Sequence, residues 1–219
     1  MELCAYCPSV ATTVDHVPAQ SLLVGVAPAD RPAVACCDRC NNQASADDEY
    51  FRDSILKYHR VADRPEVQPL VAKMIRALRK PKKKRYAAAT MQSMTEFRAI
   101  TTAGLDLGVQ PAFRVNADRL NRTVERYVRG LHLFELGIRL PPERTVVANA
   151  NPEGVIAEQD RLASLLAQGH SRVIKAGIFW YKWVHPSDQP TASFWLLTFF
   201  DSFPAIAGVR PASEPNVAA

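Results

Sequence analysis

The 219-residue chain is predicted to be an α+β protein: a small zinc-braced module, then a helical segment, then a mixed α/β C-terminal domain. Three features predict this class. All five cysteines fall between Cys4 and Cys40. Apolar residues recur with helical spacing in two middle segments, and two aromatic, β-rich runs near the C-terminus flank a proline-bounded turn. The composition shifts place the module at residues 1–60, a helix and basic linker at 61–86, the C-terminal domain at 87–209 and a disordered Pro- and Ala-rich tail at 210–219.

Hydrophobic residues make up 47% of the chain, enough for a sizeable core, and charged residues 22%. No apolar run reaches the roughly 18 to 20 residues needed to cross a bilayer, so no membrane partner is expected. The start, MELCAYCPSV, lacks the basic and apolar pattern of an export signal, which leads us to expect a cytoplasmic protein. A net charge of +5 and a pI near 9.0 fit an anionic partner without requiring one. There is no phosphate-cradling G-x-x-x-x-G-K-[ST], no G-x-S-x-G around a nucleophile and no repeat of 20 to 50 residues.

The first element is the cysteine pattern. Cys4-Ala-Tyr-Cys7 and Cys37-Asp-Arg-Cys40 are two C-x-x-C pairs, each short enough for one tight turn to present both sulfurs to a tetrahedral Zn2+. The competing reading is a disulfide or redox pair, but an unexported chain argues against structural disulfides and a redox site needs only one pair. Four thiolates close the zinc coordination sphere, so this site is structural and any chemistry lies elsewhere. Cys36 is left over, as a buried small hydrophobe or an idle thiol. The 29 residues between Cys7 and Cys37 exceed the roughly 15 to 20 of a plain two-pair zinc site. The insert carries Asp15-His16-Val17-Pro18.

Cys-x-x-Cys, then Asp-His-Val-Pro, then Cys-x-x-Cys-Asn over residues 4 to about 51 resembles the HNH endonucleases, whose ββα-metal active site is often braced by such a zinc arrangement. Members with Asp-His and a terminal Asn, such as phage endonucleases that resolve branched DNA, are the most similar. The resemblance implies a strand ending at the histidine, a hairpin, the second cysteine pair and a helix opened by the Asn. It implies His16 as general base, with Asp15 and Asn41 as ligands of a catalytic Mg2+ or Mn2+. Those residue types suit the chemistry. A neutral imidazole can take a proton from water, and carboxylate and amide oxygens are hard ligands. Neighbours on a strand point to opposite sides, so Asp15 and His16 are expected to serve the ion and the water separately.

One position departs from the pattern. The family's middle Asn, which braces the loop after the histidine, has no counterpart in VAPADRPAVACC, where Asp30 lies nearest. A carboxylate accepts hydrogen bonds but does not donate them. Beyond Asn41, Asp47, Asp48 and Glu49 are open to two readings, capping and surface charge or an extension of the metal site.

The remaining elements follow. Helices are expected over 47–60 and 66–79, the second with Val67, Leu70, Val71, Met74, Ile75 and Leu78 on one stripe. Arg79-Lys80-Pro81-Lys82-Lys83-Lys84-Arg85 is either a solvated linker or a strip contacting phosphates, and in a eukaryote would read as a nuclear address. A strong amphipathic helix spans 117–137, with Leu120, Val124, Tyr127, Val128, Leu131 and Phe134 apolar, arginines opposite and Gly137 at its end. Residues 145–150 read as a strand and 158–168 as a helix. RVIKAGIFWYKWVH and SFWLLTFF read as two strands of a hairpin whose aromatics are core, with base stacking the other reading. His59, His132, His170 and His185 receive no role.

The function expected from this resemblance is hydrolysis of DNA phosphodiesters, with 5′-phosphate and 3′-hydroxyl products and a setting in bacterial or phage genomes such as restriction or phage defence. Two alternatives stay open: a non-catalytic zinc module that binds nucleic acid, and an RNA-cutting effector. Assembly as an oligomer or with a partner protein is open too.

Overall fold

A computed structural model of the chain describes residues 2–101, 103–189 and 191–210, so that all of the expected tail except Arg210 lies outside the described residues. The structure is mixed α and β. In chain order it contains β1 (Thr13–His16), β2 (Ala33–Cys36), α1 (Asp38–Leu56), α2 (His59–Ala62), α3 (Gln68–Leu78), α4 (Lys84–Gln92), β3 (Met94–Ile100), β4 (Asp106–Phe113), α5 (Ala117–Leu136), β5 (Val146–Asn149), α6 (Pro152–Ala157), α7 (Gln159–Leu165), β6 (His170–Lys175), β7 (Phe179–Val184), β8 (Ser193–Phe199) and β9 (Phe203–Val209).

Two compact units result, one made of Met1–Arg52 with Ala117–Ala219 and the other of Asp53–Asn116. This differs from the sequential division drawn from composition. The cysteine-rich segment shares a unit with α5 and the C-terminal sheet because α5 joins both. Its apolar face is buried, and its arginines reach back to the first fifty residues.

In the first unit β1 and β2 pair antiparallel in the register Thr13↔Cys36, Val14↔Ala35, Asp15↔Val34 and His16↔Ala33. The two-residue alternation of a strand buries Asp15 and leaves Val14 exposed. Helix α1 runs unbroken from Asp38 to Leu56, so the helix that the resemblance opens at Asn41 and the one expected over 47–60 are a single element that starts three residues before Asn41. The Thr12 hydroxyl donates to the Asp38 carboxylate at 2.8 Å and accepts the Asp38 N–H at 3.1 Å, so one residue beside β1 fixes the helix start.

The C-terminal sheet has five strands in the order β5-β9-β8-β7-β6, all neighbours antiparallel. The stretch expected as one strand over 172–185 is two, because the chain reverses at Gly177, whose φ of +75° suits glycine. Phe179, Tyr181, Trp183, Trp195, Leu197 and Phe199 alternate onto one buried face, where the Trp183 and Trp195 rings stack with centroids 5.4 Å apart. Phe51 from α1 meets the rings of Tyr127, Phe199 and Phe203 edge-on. These aromatics are therefore core. On α5, Leu120, Val124, Tyr127, Val128 and Leu131 are buried as expected, but Phe134 is 40% exposed, with the Arg172 guanidinium over its ring.

In the second unit α3 carries the expected stripe, with Val67 and Met74 buried and Ile75 exposed. The basic run is regular in part and largely exposed. Pro81–Lys83 form a 3₁₀ turn and α4 starts at Lys84, which leaves Arg79, Lys80, Lys82, Lys84 and Arg85 exposed. The β3–β4 hairpin was not expected. A bulge between Arg98 and Ile100 and a left-handed Gly108 interrupt the two-residue pattern that would have announced it.

Candidate functional site

The site is built on the two cysteine turns. The Sγ atoms of Cys4, Cys7, Cys37 and Cys40 all lie within 4.8 Å of one another. Zn–S bonds of about 2.3 Å place tetrahedral sulfurs about 3.8 Å apart, so this set is arranged to hold a metal such as zinc. Backbone N–H groups point at the sulfurs, Tyr6 to Cys4 at 3.4 Å and Cys40 to Cys37 at 3.5 Å, which favours thiolates. Burial, then the neighbouring thiols of Cys7 and Cys37, pushes the Cys40 thiol up, a cost that a bound cation reverses. Cys36 is not one of the four but adjoins them, with its Sγ 4.0 Å from that of Cys4. It is buried, its thiol is pushed up to about 12 by burial and then by Cys4, and it donates to the Cys37 carbonyl at 3.4 Å.

Arg139, which follows α5, grips the first turn from outside. Its Nε donates to the Cys4 carbonyl and its Nη2 to the Cys7 carbonyl, each at 2.7 Å. Groups behind metal ligands typically alter affinity by about 10–100-fold. Arg139→Ala is therefore expected to speed zinc loss to a chelator by at least about tenfold and to lower stability by about 2 kcal/mol, read by chromogenic zinc release and thermal melting.

Beside this cluster a cavity of about 420 Å³ brings the other predicted residues together. Its lining includes Asp15 and His16 from the end of β1 and Asn41, Ser45, Asp48, Glu49 and Arg52 from α1. These helical positions follow the i, i+4, i+7, i+8, i+11 spacing of one helix face. Asn41 donates its amide to the Val14 carbonyl at a long 3.5 Å, which leaves its Oδ1 outside that bond.

His16 is half-buried. Burial, then the charge of Arg31, lowers its pKa against the opposing pull of Asp15, so the imidazole is neutral near pH 7. Its Nδ1 is buried and has no hydrogen-bond partner among the described residues. Asp30 is exposed in the 3₁₀ turn Pro28–Asp30 and does not supply that bond.

The buried Asp15 has partners that the sequence did not suggest. Tyr6 Oη donates to its Oδ2 at 2.6 Å, and Arg126 Nη1 donates to the same oxygen. The other arm of Arg126, Nη2, donates to Asp48 Oδ1, which also accepts from Tyr127 Oη at 2.8 Å. Burial raises the Asp48 pKa, against the opposing charge of Arg126. Asp47, by contrast, is held by Arg119 and serves packing between α1 and α5. Arg126 was read only as one of the arginines opposite the apolar stripe of its helix. Its place 111 residues after Asp15 gave no local signal.

Helix α5 comes this close because Gly130, one turn beyond Arg126, has no side chain. A Cβ there would stand 2.6 Å from Val17 Cγ2 and 2.9 Å from Tyr6 Oη. Comparison of the chain with protein-family models, curated proteins and solved structures finds no match.

Proposed function

We propose that the protein is a metal-dependent nuclease of the HNH type that hydrolyses phosphodiester bonds in DNA. The observation that supports this most is the convergence of His16, Asp15 and Asn41 on one cavity, on a strand–strand–helix run with one cysteine turn before its first strand and the other at the start of its helix.

The donor set suits a hard cation. Asp15 Oδ1 and Asn41 Oδ1 are outside the hydrogen bonds just described, and both residues line the cavity, so they are the atoms that would hold magnesium or manganese. When bound, such an ion supplies positive charge to the non-bridging and leaving oxygens of the phosphate. His16, neutral at pH 7, accepts the proton of the attacking water, a role served by an imidazole at the cavity wall. The partly open site leaves room for a nucleic-acid backbone, and the exposed cations from Arg79 to Arg85 offer phosphate contacts in the second unit.

A second reading is favoured by one observation. His16 Nδ1 lacks the partner that ordinarily fixes the tautomer and orientation of a working histidine. In that reading the module binds nucleic acid through its cations and does not cut. The test is purified protein against supercoiled, linear, single-stranded and branched DNA and against RNA, with Mg2+, Mn2+ or chelator. Nicking of DNA that requires a divalent ion is expected. Salt-dependent binding without cleavage under any ion would instead establish the non-catalytic module, and cleavage confined to RNA would establish the RNA-cutting effector.

A further inference from the structure

The Arg126 guanidinium touches two carboxylates of the cavity wall, Asp15 through Nη1 and Asp48 through Nη2. Both acids line the cavity, whereas Arg126 is absent from its lining. The guanidinium therefore stands behind the acids. Each acid spends one oxygen on that side: Asp15 Oδ2 takes Arg126 and Tyr6, and Asp48 Oδ1 takes Arg126 and Tyr127. The opposite oxygens, Asp15 Oδ1 and Asp48 Oδ2, carry none of these bonds. The Tyr6 and Tyr127 rings lie against the guanidinium, with centroids 5.6 and 5.1 Å from its carbon, and restrict its movement.

We infer that Arg126 is a positioning residue: its two-armed hydrogen bonding from α5 fixes the rotation of Asp15 and Asp48, so that Asp15 presents Oδ1 to a divalent cation in the cavity. The inference rests on the reading of Asp15 as a cation ligand. A planar fork with two arms suits this task, and the point charge of lysine does not reproduce it. Without the fork, the two acids repel each other across the wall and, of these bonds, Asp15 keeps only the one from Tyr6.

The test measures binding of Mn2+ by the loss of the free-ion electron paramagnetic resonance signal, together with zinc content and melting temperature, for the parent, Arg126→Lys and Arg126→Gln. Arg126→Lys keeps the charge that the buried acids need. Arg126→Gln keeps one donor, and serves if the lysine variant does not fold. The folded variant is expected to bind Mn2+ about 10–100-fold more weakly than the parent with zinc content unchanged, the size of effect usual for a group behind a ligand. Where DNA is cut, the cutting rate should be recovered at high Mn2+, a readout that a purely structural ion pair would not move. A folded variant that binds Mn2+ as tightly as the parent would overturn the inference alone. A parent that binds no Mn2+ would overturn it together with the proposed ligand role of Asp15.

Discussion

His16→Ala is expected to lower the rate of divalent-dependent plasmid nicking by about 10²–10⁴-fold, the usual contribution of a positioned general base, while zinc content and melting temperature stay at the parental values. The separation of effects follows from the structure. The imidazole lines the cavity but gives no hydrogen bond through Nδ1, so its loss removes little that holds the fold. The cysteine turns are tied elsewhere, by the Cys4 N–H to the Ser9 carbonyl, the Ala5 N–H to the Ala35 carbonyl and the two bonds of Arg139. Comparing initial rates on supercoiled substrate at saturating Mg2+ settles the assignment: a variant that nicks as fast as the parent removes His16 from the chemistry.

Cys37→Ser is expected to have the largest effect on structure. The parent should carry about one zinc per chain, and the variant close to none. Folding free energy supplied by structural zinc is on the order of 10–16 kcal/mol in small metal-braced modules. The cysteine turns have little to replace it, since β1 and β2 are four residues each and the buried residues around the cluster are Cys4, Cys36 and Cys37 themselves, while Val17, Leu22, Leu23 and Val34 are buried elsewhere in the segment. The C-terminal sheet has its own aromatic core and should persist. Elemental analysis and limited proteolysis read both outcomes. A variant that resists protease across residues 2–40 as the parent does, without zinc, would show that packing on α5 alone holds the segment.

What could be read in advance was what is local in the chain. C-x-x-C spacing set the four sulfurs, the sequence DHVP marked the end of a strand, and helical periodicity placed α5 within a residue of its observed bounds. Elements whose signals are not local were missed. The β3–β4 hairpin hides its alternation behind a bulge, and α1 starts where Thr12 caps it rather than at the acidic residues near 47 that could have capped a helix. In the site, His16, Asp15 and Asn41 lie close together in sequence or adjoin the cysteines. Arg126, Tyr127 and Arg139 reach their places only through tertiary packing, which periodicity does not encode. Asp48 was open to two readings because an acid on a helix reads the same whether it faces water or a distant arginine.

The discontinuity of the first unit bears on when the protein becomes competent during synthesis. The four cysteines, Asp15, His16 and Asn41 leave the ribosome early, whereas Arg126 and Gly130, which hold and admit the supporting helix, follow more than eighty residues later. A growing chain can thus bind zinc well before its acidic wall is braced. Under the proposed nuclease function, the order of translation delays activity until α5 has been made, so that abortive products stopped before α5 would be inert toward the host's own genome.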